Sequence, residues 1–256
     1  MSASPLLSAV LSACAAIAGA SLLSACGGQD LFFKTPPPAS ITLTGAEGLY
    51  SGTTNTGRTL TALVLEDSTH YVFYSAINQP TLIRGFLQGT GASLNGSYTS
   101  SNSRDLNIEG LGVLATTVSA SYVQKKTFNG SWNTTTTNQT VTFTTNYDTA
   151  YEAKPGLDII AGTYNGFLAE STAVAGGPVT NLTISSTGAI TMTNAPCTGT
   201  AAARAKGNLY TITLSCNTPA VTFTGIGQYD TTSRRLLIGT MREDRTNGRL
   251  FAGTKL

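Results

Sequence analysis

Two cysteines and one histidine are where chemistry would have to begin in this chain. Cys197 and Cys216 lie symmetrically about Lys206-Gly207, a pair suited to a tight hairpin turn. Counting back from that turn, Cys197, Gly199, Ala201, Ala203 and Ala205 share one strand face, opposite Cys216, Leu214, Ile212, Tyr210 and Asn208. Small residues on one strand thus face large ones on its partner, while Thr198, Thr200 and Arg204 point outward. This single register accounts for the apolar pattern and brings the two sulfurs together. It predicts a disulfide, and with it an oxidising compartment. A metal pair is the competing use of two cysteines, yet no histidine or third cysteine lies near them in sequence.

His70, in Asp67-Ser68-Thr69-His70-Tyr71, is the single histidine and is expected at a turn exit or on a strand surface. A catalytic triad needs a histidine beside an oriented nucleophile, and no Gly-x-Ser-x-Gly elbow occurs. One histidine and two bridged cysteines cannot make a zinc site, and no calcium loop or phosphate-cradling glycine loop is present. The pairs Glu66-Asp67 and Glu243-Asp244 are sequence neighbours, which on a strand point to opposite faces rather than converging. The expectation is therefore a non-catalytic protein without metal or cofactor. Trp132, the single tryptophan, reads either as a ligand anchor or as a plug for a barrel end. Arg242-Glu243-Asp244-Arg245, just before Asn247-Gly248, is the densest charge on the chain and reads as a hairpin tip. These four residues and Trp132 form the candidate recognition patch.

An uncharged apolar stretch runs from Pro5 to Ala25; the tetrapeptide Leu-Ser-Ala-Cys occurs twice there, ending at Cys14 within the stretch and at Cys26 directly after it. The stretch is long enough to span a membrane. Its small-residue end and the polar tether Gly27-Gly28-Gln29 after it indicate a signal peptide instead. Leu23-Ser24-Ala25-Cys26 resembles the lipobox of bacterial lipoproteins. That resemblance implies cleavage before Cys26, lipidation of its thiol and acylation of its new amine. Gly27, where an Asp would retain the protein in the inner membrane, implies export to the outer membrane, and several acyl chains would anchor it stably. Cys14 has too little apolar chain before it and is expected to leave with the peptide. No Lys or Arg precedes Lys34, so the basic start of a signal peptide is expected upstream. After the anchor, Pro36-Pro37-Pro38 makes a stiff spacer.

The rest of the chain must position these groups. Of 256 residues, 41% are hydrophobic, enough to bury a core, and only 11% are charged, well below the roughly 25% of ordinary soluble domains. A net charge of +2 with no basic cluster excludes nucleic acid as an expected partner. Threonine takes the place of charge, and β-branched side chains suit a half-exposed pleat. Alternation of period two is explicit: Val141 and Phe143 between threonines, Leu182 and Ile184, Tyr210, Ile212 and Leu214, Val221 and Phe223. Turn residues recur every 8–12 residues or so, as in sandwiches and barrels.

Gly48-Leu-Tyr-Ser-Gly52 recurs as Gly162-Thr-Tyr-Asn-Gly166, which predicts two tandem lobes. A second echo pairs Tyr98, Ser103, Arg104 and Leu106 with Tyr229, Ser233, Arg234 and Leu236. The organisation expected is a signal peptide over 1–25, a lipidated tether over 26–46, an N-terminal β lobe over 47–147, an inter-lobe segment over 148–161 with a short helical turn, and a C-terminal β-barrel lobe over 162–256. The fold class is all-β, two small antiparallel up-and-down barrels, since closure removes exposed sheet edges.

A lipobox, a proline tether and two lobes opening on Gly-x-Tyr-x-Gly resemble the surface and outer-membrane lipoproteins of Gram-negative bacteria. Transferrin-binding protein B and the factor H-binding lipoproteins exemplify that group. The resemblance implies barrel lobes held on a lipid anchor that bind other molecules, facing the periplasm or the exterior. It names no ligand and transfers no binding residue. Two uses remain open: a binding or structural role through the loops, or carriage of a small apolar ligand inside one barrel. An empty interior would favour the second and a filled one the first.

Overall fold

The computed structural model describes residues 43–171, 177–217 and 219–256. The expected signal peptide, Cys26 and the greater part of the expected tether lie outside the described residues. Seventeen strands follow in order. In the first lobe these are β1 (Gly48–Thr54), β2 (Thr59–Val64), β3 (Thr69–Ala76), β4 (Gln79–Thr90), β5 (Ala92–Leu94), β6 (Ser97–Asn107), β7 (Gly112–Val123), β8 (Thr127–Thr134) and β9 (Gln139–Tyr147). A 3-10 turn (Thr149–Glu152) and the short helix α1 (Leu157–Ile160) lead into the second lobe. There the strands are β10 (Gly162–Glu170), β11 (Val179–Ile184), β12 (Ala189–Met192), β13 (Cys197–Ala203), β14 (Leu209–Cys216), β15 (Val221–Asp230), β16 (Arg235–Met241) and β17 (Gly248–Lys255).

Both lobes are closed antiparallel barrels. In the second, each strand pairs with the next and β10 pairs with β17 to close the ring. In the first, β1 pairs with β9 and the ring closes through β4 and β6, so that β5 is a three-residue excursion bonded to β6 alone. The strand pattern of period two places one set of side chains inside each ring. Tyr50, Val72, Tyr74, Leu87, Tyr98, Phe128, Trp132 and Phe143 fill the first, and Tyr164, Leu182, Ile190, Tyr210, Ile212, Phe223 and Phe251 the second. Side chains pack the interiors of both barrels. Aromatic rings in mutual contact, such as Trp132 stacked between Tyr74 and Phe143 at centroid distances of 6.1 and 5.8 Å, occupy the first interior.

The Gly-x-Tyr-x-Gly repeat marks the seam of each ring. Tyr50 and Tyr164 are fully buried, and each hydroxyl donates to the carbonyl four residues upstream, Ala46 at 2.9 Å and Ile160 at 2.6 Å. The tyrosine thus ties down the segment that caps one end of its barrel: the Leu43–Glu47 stretch in the first lobe, α1 in the second. The second glycine faces the closing strand. A Cβ on Gly52 would lie 1.9 Å from the Thr144 carbonyl oxygen, and one on Gly166 would lie 2.2 Å from that of Ala252. The other echo is not structural. Tyr98 through Leu106 lie on the single strand β6, whereas Tyr229 and Leu236 sit on β15 and β16 with Ser233 and Arg234 in the turn between.

A third apolar cluster joins the barrels. Leu63, Tyr71, Phe73, Phe86 and Leu106 on the outer face of the first pack with Ile226, Leu237, Met241, Leu250 and Ala252 of the second. This explains why β3 is buried on both faces: one faces the barrel interior, the other the neighbouring lobe. Phe73 and Phe86 come within 3.1 Å of where a Cβ on Gly239 would stand, so glycine there lets the rings lie on the backbone. Polar ties ring the apolar contact. Arg204 pairs with Glu66 at 2.8 Å, Arg235 donates to the Thr81 carbonyl at 2.5 Å, and Tyr151 donates to the fully buried Glu47 at 3.1 Å.

Candidate functional site

The cysteine register is found as the sequence predicts. Cys197 faces Cys216, Gly199 faces Leu214, Ala201 faces Ile212 and Ala203 faces Tyr210 across β13 and β14, and the two cysteines are joined as a disulfide. On the inward face Cys197 and Ala201 are buried and Gly199 half-buried, while Ala203 and Ala205 are exposed where the hairpin leaves the barrel.

His70 stands at the exit of the β2–β3 hairpin turn, as expected, but not on a strand surface: it is fully buried on β3, pointing into the first barrel. Its Nδ1 lies 2.7 Å from the Tyr98 hydroxyl and its Nε2 lies 3.1 Å from the Ser103 hydroxyl, which in turn is 3.0 Å from that of Ser100. Burial, reinforced by the Arg245 charge, lowers its pKa to about 3, so the ring is neutral. A histidine against a serine has the outline of a nucleophile and its base, but both side chains are fully buried. The chain of hydroxyls satisfies a polar group inside a core.

The candidate recognition patch is not one surface. Trp132 is interior, at 4% exposure in the first barrel. Arg242–Arg245 form the turn between β16 and β17 of the second. Within that turn Arg242 pairs with Asp244 at 2.9 Å, beside an open hollow lined by Val221, Thr222 and Thr224. Arg245 instead reaches across to the first barrel, donating to the carbonyls of Asn102 at 2.7 Å and Gln88 at 2.5 Å. It is an inter-lobe clamp. Among the described residues no three His, Cys, Asp or Glu side chains gather to hold a metal.

Polar side chains converge elsewhere, at the end of the first barrel opposite its Leu43–Glu47 cap. Arg58, in the turn between β1 and β2, forms a two-pronged pair with Glu109 at 3.1 and 2.7 Å and donates to the Ser75 carbonyl at 2.7 Å. Its guanidinium lies over the Tyr74 ring, 5.3 Å from the centroid. Tyr74 donates to Asp105 Oδ1 at 2.7 Å and accepts from Asn107 at 3.2 Å. Burial, opposed by the Tyr74 hydrogen bond and by Arg58, raises the Asp105 pKa to about 7. These groups line a cavity of about 110 Å³ together with Trp132, Leu111, Leu114 and Val141. The second barrel has a similar device at its mouth: Arg249 pairs with Glu170 and stands over Phe223, 4.6 Å from the ring centroid. A cleft of about 310 Å³ also runs between the lobes, edged by Asp148, Asp230 and Arg235.

The sequence reading missed the mouth cluster because its members are scattered: Arg58, Tyr74, Asp105 and Glu109 come from four different elements with no shared motif. One signal was present. Ser103, Asp105 and Asn107 place polar groups on the inward face of β6 where alternation calls for apolar ones.

No protein-family model matches the chain, and no curated protein sequence is similar to it. A solved structure from Bacteroides fragilis, provisionally named as an outer membrane protein, is similar at 15% identity over 83% of this chain and 97% of the other, with a TM-score of 0.26. The two-barrel architecture described above rests on this chain's own strand pairing.

Proposed function

We propose that the chain is a non-catalytic binding protein of the cell envelope, anchored by lipid on Cys26 and recognising a macromolecular partner with the loops at its barrel ends. The observation that carries the binding role is the filled interior of both barrels. With aromatic side chains occupying the space a carried apolar ligand would need, surface loops on a rigid frame are what is left to make contacts. The disulfide fits an oxidising envelope compartment.

Metabolic labelling with a palmitate analogue tests the anchor: label should enter the unaltered chain and be absent from Cys26→Ala. Protease treatment of intact cells then separates an exterior from a periplasmic location. Native mass spectrometry tests the filled interior. A stoichiometric apolar molecule retained by the purified chain would replace the loop-binding reading with that of a carrier.

A further inference from the structure

We propose that the mouth of the first barrel binds a primary alkylammonium group, its charge against Asp105 and its stem along Leu111, Leu114 and Val141. This goes beyond the loop-binding reading and stands or falls separately from it, since it concerns one chemical group in one cavity.

Charge selects the ligand. Arg58 and Glu109 neutralise each other through two hydrogen bonds, and the Ser75 carbonyl holds the guanidinium in that position. Asp105 is then the charge left without a counterion. It is 5% exposed and lines the cavity. Tyr74 donates to Oδ1, and no hydrogen bond to Oδ2 is found among the described residues. The titratable and charged groups that face it are Tyr74, Arg58 and Glu109. A carboxyl buried with one open oxygen is costly as an anion. A cationic donor offsets that cost, whereas an anion would meet both Asp105 and Glu109.

Size and lining select the rest. The cavity of about 110 Å³ is well below the roughly 300 Å³ of drug-sized sites, so it suits a headgroup with a short stem. Leu114 and Val141 line it, and Leu111 stands 57% exposed at its rim. Ile77, 50% exposed on the turn between β3 and β4, borders the Arg58 turn. An alkyl stem would cover apolar surface that water now wets. A lysine side chain on a partner and a free small amine carry the same chemistry.

Trp132 is the single tryptophan and lines the cavity, so its emission reports occupancy in the full-length chain held in uncharged detergent. Titration with n-butylammonium chloride at pH 8, at ionic strength fixed with sodium chloride, should give a saturable change. Asp105→Asn should weaken it at least tenfold. Because Asp105 titrates near pH 7, the unaltered chain should bind about tenfold more tightly at pH 8 than at pH 6. That comparison decides the matter even if the variant does not fold. Absence of saturation at pH 8, equal affinity at the two pH values, or equal affinity for n-butanol overturns the proposal. Nα-acetyl-lysine amide binding at least as tightly as n-butylammonium assigns the group to a protein partner. Weaker binding assigns it to a free amine.

Discussion

Tyr50 and Tyr164 occupy the same place in two barrels: each opens the first strand, points inward and hydrogen-bonds the carbonyl four residues before it. The repeated motif is thus a closing device. Its tyrosine fixes the cap, and its second glycine admits the backbone of the last strand.

Replacing either tyrosine by phenylalanine keeps the ring and removes the hydroxyl. The buried Ala46 or Ile160 carbonyl loses its donor, at a cost of about 1–2 kcal/mol, to be read from urea unfolding midpoints at unchanged slope. Gly166→Val is expected to be far worse. Its Cβ would meet the Ala252 carbonyl oxygen and the Gly253 Cα at 2.2 and 2.5 Å, so β10 could not seat against β17. Soluble yield and circular dichroism would show the loss.

The Cys197–Cys216 bridge closes a 19-residue separation, for which the loop-entropy relation gives about 3 kcal/mol. The double variant Cys197→Ser, Cys216→Ser should fold to the same strand pairing, because the β13–β14 register is also fixed by Ala201 against Ile212 and Gly199 against Leu214. Its melting temperature should fall by several degrees, and reductant should produce the same fall in the unaltered protein but none in the variant.

What could be read from the chain was whatever repeats locally. Period-two alternation located the strands around Val141, Leu182, Ile212 and Val221, and the β13–β14 register came from counting outward from one turn. The turn before His70 was legible in Asp67 and Ser68, but the burial of the ring was not, because its partners, Tyr98 and Ser103, lie 28 and 33 residues away. The mouth cluster was invisible for the same reason: Arg58 and Glu109 are 51 residues apart. Lobe packing left its trace in runs that do not alternate: Leu63, Tyr71, Phe73, Phe86, Leu237 and Leu250 put apolar groups on the face that alternation leaves wet.

That packing makes the two barrels one mechanical unit. Phe86 is fully buried in the inter-lobe cluster and contacts the ring of Phe73, centroids 5.7 Å apart, over Gly239. Phe86→Ala should cost about 3–5 kcal/mol, and Phe86→Asp more, since the carboxylate has no partner there. The informative observation is cooperativity. The unaltered protein should unfold in one calorimetric transition, and Phe86→Asp should split it into two as the lobes part, with the disulfide-bonded barrel melting second.

The pH dependence of stability should come from two buried groups acting in opposite directions. His70 has a folded pKa near 3 against 6.5 unfolded. Between those values the unfolded chain holds a proton that the folded one lacks, so stability falls as pH drops through the window. Asp105 has a folded pKa near 7 against 3.8. There the folded chain holds the extra proton, so stability falls as pH rises through that window. From about pH 4 to 6.5 the two slopes, each about 1.4 kcal/mol per pH unit at full strength, offset one another. Asp105→Asn removes one of them: its stability relative to the unaltered protein should grow steadily as pH rises from 4 to 7. His70→Gln removes the other, so its relative stability should grow as pH falls from 6.5 to 4. Urea unfolding at half-unit pH intervals checks both, and parallel curves for a variant and the unaltered protein would show that the group does not titrate as its burial requires.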